Sequence, residues 1–417
     1  MLIRLNKTSH RVFAVVVALV AAGSYMLPVS RAYVASRKGQ ITNGPDAIRA
    51  AIRLEPANAE YPCRLARYLL FVSQDAARAV DSYRDCVALN PWVAQNWLHL
   101  AAAYNILGDS VAQQTALERA VSLDPRTPDI AWEAGNFYII RGDVRRAVQL
   151  FRQVIENDPD KAPTAISLAV RAGASTELIL SEGLPESVER HLLLLYYLAE
   201  IGKTDDAVRV WSHILTMGQD FQARLAYPYI DLLIREKHGA EAVRVWESLA
   251  RMRGNSSLRT RTQVVVNGGF EDAISNGGFD WRYSPVPSTR LFIDTVEAHS
   301  GSRSMAIEFE GAPVTDIGLT QYVPVAPGHR YEFSAYMRTD KLQSSSGPRF
   351  AIDDAYTHER LALSDDMLET NVWRHRQVVL DVPGGTEVIA LKVVRDPSEK
   401  EIKGKAWIDD LSLRRLD

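Results

Sequence analysis

Residues 92–125 read WVAQNWLHLAAAYNILGDSVAQQTALERAVSLDP and are bracketed by Pro91 and Pro125. These two prolines belong to a set of four, with Pro56 and Pro159, at spacings of 35, 34 and 34 residues. Each comes directly after an acidic or amide residue (Glu55, Asn90, Asp124, Asp158) and closes a segment of helical pattern. A constant period of this size means stacked copies of one supersecondary unit. The rest of the chain divides into a segment before this array and a segment after it.

Within the quoted copy, Trp97, Leu100, Ala101, Tyr104, Gly108, Leu117 and Ala120 alternate small and large residues. Small residues let two antiparallel helices approach, and large ones fill the space between them. The next copy has Ala134, Gly135, Tyr138, Gly142, Ala147, Phe151 and Pro159 in the same slots. The copy before has Leu65, Ala66, Ala79, Tyr83 and Pro91, with one extra residue between its helices. These three units resemble the tetratricopeptide repeat. Pro45 to Pro56 reads as the second helix of an earlier unit, whose first helix is expected in the segment after the apolar N-terminal run. Past Pro159 the pattern decays: Ala207-Val208-Arg209-Val210-Trp211 recurs as Ala242-Val243-Arg244-Val245-Trp246, 35 residues on. Helix pairs are therefore expected at about 187–217 and 221–252, with Gly173 to Pro185 as a shortened or distorted unit. The repeat domain spans 35–254, regular over 45–160 and degenerate over 161–254. Stacking stabilises such an array and creates a groove. The groove-lining positions of the middle copy are Gln95, Leu98, Ala102 and Asn105, a mild, partly apolar surface expected to hold a protein partner. Trp97, Trp132, Trp211 and Trp246 are read as packing between helices.

The chain has 417 residues, 47% hydrophobic and 24% charged, with a formal net charge of −3. That is room for two or three domains, and the charge argues against a generally basic nucleic-acid binder. The first segment, 1–11, is a basic flank with Arg4, Lys7, His10 and Arg11 and no acidic residue. Residues 12–29 are apolar or small and uncharged, about 27 Å as a helix, close to the ~30 Å hydrocarbon core. Two readings stand: a single-pass anchor, or a cleaved export signal with small residues around Ser30-Arg31-Ala32 or at Ala21 and Gly23. Both put the bulk of the chain outside the cytoplasm, held at a bacterial inner membrane in the first reading and secreted in the second. The two cysteines, Cys63 and Cys86, fall in the two helices of one unit. A disulfide is permitted there outside the cytoplasm, and so are two free core cysteines.

At Gly254-Asn255-Ser256-Ser257 the style changes, with 255–262 as a linker. Helical periodicity gives way to about ten short alternating runs over about 150 residues, the pattern of a jelly-roll β-sandwich. His329 to Arg338 alternates with Tyr331, Phe333, Ala335 and Met337 on one face. The fold class is thus multidomain: membrane helix, α-solenoid, then a sandwich over 263–417. Asn267-Gly268-Gly269-Phe270-Glu271, His299 to Ser304, Gln321-x-Val323-x-Val325-x-Pro327-Gly328-x-x-Tyr331, Trp373 and Trp407 to Leu413 resemble the galactose-binding-like sandwich of bacterial carbohydrate-binding modules. That resemblance implies a structural calcium, with Glu271 and Asp410 as side-chain ligands and carbonyls from the Ser300–Arg303 turn. The plainer alternative is that Asp409 and Asp410 solvate a strand end. Trp281, Trp373 and Trp407 fall on core marks of the family. The outward set Tyr336, Arg338, Arg349, Asp353 and Lys392 would form an aromatic-plus-basic glycan cleft if it shares one face; otherwise it is a solvated sheet face.

Catalytic signals are missing from the sequence. Asp353-Asp354, Asp365-Asp366 and Asp409-Asp410 are adjacent pairs, which on a strand point to opposite faces and cannot pair as glycosidase carboxylates. His358-Glu359 lacks the second His of a zinc-protease helix. The expected function is a non-catalytic envelope adaptor in surface polysaccharide synthesis or export. Two other readings stay open: a protein scaffold whose sandwich binds no sugar, and an accessory subunit of a carbohydrate-active enzyme.

Overall fold

A computed structural model describes residues 8–40, 42, 44–252 and 264–417. The described residues form fourteen helices followed by ten strands. They group into two compact units, Met1–Arg190 and His191–Asp417. This division falls within the expected repeat domain rather than at residue 254. The expected linker at 255–262 and most of the basic flank lie outside the described residues.

In the first unit, α1 (Thr8–Lys38) runs unbroken for 31 residues. Its apolar window is long enough to cross a membrane or to serve as a signal sequence, and no part of that window is buried. The end of the same helix joins the array. Ala35 is fully buried, and Gly39 lies so near Tyr61 that a Cβ there would sit 2.4 Å from the ring. The end of α1 and α2 (Pro45–Leu54) make the first helix pair. Three regular pairs come next: α3 (Glu60–Phe71) with α4 (Ala76–Leu89), α5 (Ala94–Leu107) with α6 (Ser110–Leu123), and α7 (Pro128–Ile140) with α8 (Val144–Asn157). Then α9 (Ala162–Arg171) is answered only by α10 (Thr176–Leu178) and one π turn, Ile179–Gly183. This is the distorted unit expected between Gly173 and Pro185.

The period has a hydrogen-bonding cause. Asp75, Asp109 and Asp143 cap the second helix of each regular pair, accepting from the backbone N–H of Arg78, Ala112 and Arg146. At each closing loop the residue before the proline folds its side chain forward. Asn90 accepts from the Trp92 amide, Asp124 from Arg126 and Thr127, and Asp158 from Asp160 and Lys161. These residues satisfy backbone donors that a helix end leaves open. Inside the pairs, small residues meet rings: a Cβ on Gly135 would lie 2.5 Å from the Phe151 ring. Trp97 donates its indole N–H to the Pro91 carbonyl at 2.9 Å, so it fixes the loop as well as packing. A Cys63–Cys86 disulfide ties α3 to α4 with Cα atoms 5.2 Å apart, a separation ordinary for such a bond.

The second unit holds α11 (Val188–Glu200) with α12 (Thr204–Thr216) and α13 (Tyr227–Arg235) with α14 (Gly239–Met252). The repeated Ala-Val-Arg-Val-Trp word occupies equivalent places on α12 and α14, with Ala207, Val210, Trp211, Ala242, Val245 and Trp246 buried. Trp211 donates to the Ser248 hydroxyl at 3.2 Å. Trp246 packs on Tyr227 and reaches Phe279 at the start of the sandwich. A bidentate ion pair from Arg282 to Asp231 and the Ala240 N–H bonded to Glu387 at 3.0 Å fasten α13 and α14 to the sandwich.

The sandwich has two five-stranded antiparallel sheets. Sheet I is ordered β1 (Arg282–Tyr283), β4 (Asp316–Pro324), β9 (Val388–Arg395), β6 (Pro348–Asp354), β7 (Arg360–Leu363). Sheet II is ordered β2 (Thr289–Asp294), β3 (Ser304–Ala312), β10 (Ile402–Arg415), β5 (Arg330–Gln343), β8 (Glu369–Asp381). Phe333, Ala335 and Met337 of β5 face Phe350 and Ile352 of β6 and Leu391 and Val393 of β9 across one core. Trp281 is fully buried beside Phe270.

Replacing the cap Asp143 by Ala is expected to lower stability by about 1 kcal/mol, and Asp143→Asn by far less. Urea unfolding of the purified chain, monitored by circular dichroism, measures both.

Candidate functional site

In the helical array, Gln95, Leu98, Ala102 and Asn105 all line one groove of about 540 Å³. They do so because they recur on the face of α5 that the second helices leave uncovered. The far wall comes from Trp132, Glu133 and Asp129 of α7, with Lys161 at one end. Leu98 is buried as floor, while Trp132 also packs on Phe151 at 5.8 Å. Lys161 is bonded to Asp129 at 2.6 Å and Asp158 at 3.2 Å, so its charge is met within the groove wall. Burial, with the nearby Arg67 guanidinium second, holds His99 below the usual imidazole range. The groove is therefore amide- and acid-lined over an apolar floor. Trp132 and His99 were not singled out as groove residues from the sequence. Trp132 stands 34 residues after Leu98, and that repeat spacing carries the signal that could have found it; His99 stands four residues after Gln95, one helical turn along α5.

The five outward residues of the sandwich do not share a face, and this corrects the single-cleft expectation. Tyr336 and Arg338 alternate with core residues of β5, so they lie on the outer face of sheet II. Arg349 and Asp353 of β6 and Lys392 of β9 alternate with Phe350, Ile352 and Leu391, and so lie on the outer face of sheet I. Strand alternation gives each residue's parity. It does not say that β5 and β6 enter different sheets.

On sheet II the aromatic rings are engaged with one another. Tyr336 stacks on His299 at 3.5 Å, with Trp373 5.7 Å from the same imidazole and His375 5.1 Å from Tyr336. Arg338 lies over Trp407 and pairs with Glu297. The Trp407 indole donates to Asp294 at 2.8 Å. One face of Tyr336 is covered, and Arg338 has its charge met.

On sheet I the cross-strand registers Tyr322↔Ala390, Asp353↔Ala390 and Asp353↔Arg360 make one row. Thr320↔Lys392↔Ala351↔Leu363 make the next. Small alanines in each row, Ala390 and Ala351, are buried between longer side chains, the floor of a shallow trough that those side chains largely fill. Asp353 is nearly buried and pairs with both Arg360 and Lys392, the latter at 3.4 Å. Arg349 reaches Asp366 at 3.6 Å, and Arg282 lies over the Tyr322 ring at 4.9 Å. Tyr322 and Arg360 were missed from the sequence. Tyr322 has the right parity, between Gln321 and Val323, but its nearness to Lys392 depends on β4 pairing with β9.

Adjacent carboxylates separate as strand geometry requires. Asp353 faces out, whereas Asp354 turns in and accepts from the Tyr356 and Thr357 amides and the Thr386 hydroxyl. Burial pushes Asp354 up, but the Thr386 and backbone bonds more than offset it and leave it below the usual range.

Glu271, Ser300, Arg303 and Asp410 come together around the 299–303 turn. Glu271 accepts from the Ser302 amide and hydroxyl, each at 2.7 Å, and from the Arg303 amide at 3.0 Å. These bonds, the Ser302 amide first, hold its carboxyl below the usual range. Asp410 accepts the Ser300 hydroxyl at 2.7 Å and lies 2.6 Å from His299 Nδ1. Asp409 is fully buried and accepts from the amides of His299, Ser300 and Asp410. Burial pushes its carboxyl up while those amides pull the other way. The turn is thereby clasped to the last strand. Among the described residues no three His, Cys, Asp or Glu side chains gather as a metal cluster.

Asp409→Ala is expected to destabilise the chain by about 2 kcal/mol, since it leaves three part-buried backbone N–H groups without their acceptor; Asp410→Ala should cost much less. Chemical unfolding of the two variants compares them.

The tetratricopeptide repeat model matches residues 94–127, which are α5, α6 and the loop after them. No curated protein matches the chain. Among solved structures, a tetratricopeptide repeat protein from Parabacteroides merdae is similar at 16% identity over 55% of this chain and 93% of its own, with a TM-score of 0.31. MamA is similar at 18% identity over 44% of this chain and 91% of its own, with a TM-score of 0.29. A structure titled "CBM4 structure and function" is similar at 14% identity over 36% of this chain and 99% of its own, with a TM-score of 0.29. Residues 94–127 thus match the tetratricopeptide repeat model over one helix pair, and the ten described strands form a two-sheet sandwich.

Proposed function

We propose that this chain is a membrane-tethered, non-catalytic adaptor of a bacterial cell envelope, holding a protein in its helical groove and a glycan on its sandwich. The observation that carries the glycan half is the trough on sheet I. Sugar recognition needs an aromatic face together with planar polar groups set against hydroxyls. Tyr322, Asp353, Arg360, Lys392 and Arg349 supply them, with the ionic groups already ordered by mutual pairing. Ordered donors and acceptors lose little freedom on binding, which favours affinity. The trough replaces the Tyr336–Arg338 face as the candidate because it gathers an aromatic ring and four ionic side chains on one sheet face, three of them from the original set, whereas Tyr336 and Arg338 stand apart on the other sheet.

Support for the protein half is the groove with its open amide and carboxylate edges. The pairing of these two surfaces behind one apolar helix motivates a role in surface polysaccharide synthesis or export. The Cys63–Cys86 disulfide fits an oxidising compartment outside the cytoplasm. A second reading, a scaffold whose sandwich binds no sugar, is favoured by the dense internal pairing of the sheet faces.

The test uses the full chain in detergent, titrated with polygalacturonate and with xylan. Tyr322→Ala and Lys392→Ala are expected to weaken glycan binding by roughly tenfold, the worth of one or two hydrogen bonds or a stacking contact, with the unfolding midpoint held. No binding by the parent chain, or equal binding by both variants, would support the scaffold instead. In the same preparation, Ala102→Arg should fill the groove without disturbing packing. It should abolish cross-linking of a partner protein from a photo-reactive residue placed at Gln95 in cells.

A calcium ion at the clasp around Glu271 and Asp410 is a separate proposal. Its oxygen donors suit calcium, which would take the place of the Ser300 hydroxyl and His299 on Asp410. Calcium added back after chelation should then raise the unfolding midpoint of the parent chain and leave that of Glu271→Gln unmoved; an unchanged parent midpoint removes the ion.

A further inference from the structure

We propose that the free edge of β8 takes up an extended acidic segment of a partner protein as an added strand of sheet II. The sandwich has four sheet edges, and three are short: β1 has 2 residues, β7 has 4 and β2 has 6. The fourth, β8, runs 13 residues, Glu369 to Asp381, without a proline or glycine. It pairs on one side with β5. Among the described residues no strand takes its other side. Such an edge presents a row of open backbone donors and acceptors, and proteins ordinarily shorten it, break it or cover it.

The side chains state the chemistry of the occupant. Arg374 and Arg376 stand opposite Met337 and Ala335 and so share the core-side face of the sheet, Arg374 exposed and Arg376 half-buried. Neither has an ion-pair partner among the described residues, and Arg376 Nε is shut off from water without an acceptor. A buried donor left open is costly, and a carboxylate would satisfy it with a charge-assisted bond. The two guanidiniums are one pleat apart, about 6.7 Å along the strand. That is the spacing of alternate side chains on an added strand, so an acidic residue at every second position would meet both. Val372, largely exposed, offers an apolar contact beside them.

Charge also decides against a second copy of the chain. Antiparallel β8–β8 pairing over its full length, centred on His375, would set Arg374 against Arg376 of the second copy, and like charges directly opposed are destabilising. A glycan cannot satisfy the open backbone groups in register. A strand can, and main-chain bonds with alternate side-chain contacts are the physics of strand addition. This surface is separate from the sheet I trough, so either proposal stands without the other.

The test uses the full chain and a synthetic ten-residue peptide alternating Glu with Thr, read out by binding anisotropy and by hydrogen exchange. Expected are binding of the Glu peptide, new amide protection confined to 370–380, and at least roughly tenfold weaker binding by the Arg374→Gln/Arg376→Gln double variant. A peptide with alternate backbone N-methyl groups, unable to pair, should not bind, and neither should the Lys version. The proposal is overturned if the Glu peptide does not bind, if the N-methylated peptide binds equally, or if the double variant, with its unfolding midpoint intact, binds as the parent does. Protection of the same amides by polygalacturonate but not by peptide also overturns it, assigning the edge to glycan.

Discussion

A single pair of helices cannot bury its own apolar face, and the whole helical part of this chain is built around that constraint. Each pair is stable only against its neighbours, so the distance between the helices must be repeated accurately from copy to copy. Gly135 against Phe151 shows how tightly that distance is set: no side chain fits between them. The capping aspartates at 75, 109 and 143 begin each second helix at the same phase. The folded-forward side chains of Asn90, Asp124 and Asp158 then turn the chain into the next copy. The prolines that reveal the period stand where a helix must stop. The groove is a by-product of this stacking, since equivalent faces of successive first helices are left side by side.

The apolar N-terminal helix is part of the same construction. Because α1 continues without a break from its uncovered apolar stretch into contact with α2 and Tyr61, the first helix pair is built on the end of that helix. If that stretch lies in a bilayer, the array starts where the bilayer ends, with no intervening linker. Farther along, α13 and α14 are fastened to the sandwich by Arg282–Asp231, Trp246–Phe279 and Ala240–Glu387. The faces of α13 and α14 must thus fit a β-structure rather than another repeat, which gives a physical reason for their departure from the pattern.

Legibility in the sequence tracked the range of the interactions. Helix pairs, the distorted unit after Gly173, the groove positions on α5 and the inward faces of the strands depend on neighbours three, four or two residues away, and all were readable. So was the separation of Asp353 from Asp354. Strand order is set by contacts far apart in sequence, and there the reading failed. Tyr336 and Lys392 have equal claims as outward residues, yet β5 and β9 belong to different sheets. The same limit hid Tyr322 beside Lys392 and the ring of His299 over Tyr336. Asp409 is fully buried and bonded to three amides, whereas the plainer of the two readings of that strand end had it solvated.

The sandwich therefore has two unlike outer faces: one filled with stacked rings, and a trough whose ionic groups are ordered by mutual pairing. If the trough is the glycan surface of an adaptor, hydrogen exchange of the full chain with and without polygalacturonate will show it. Protection is expected to gather on 320–322, 349–353, 360–363 and 390–394, with the outer face of sheet II unchanged. Protection around Tyr336 and Trp373 instead, or none anywhere in the sandwich, would contradict that assignment.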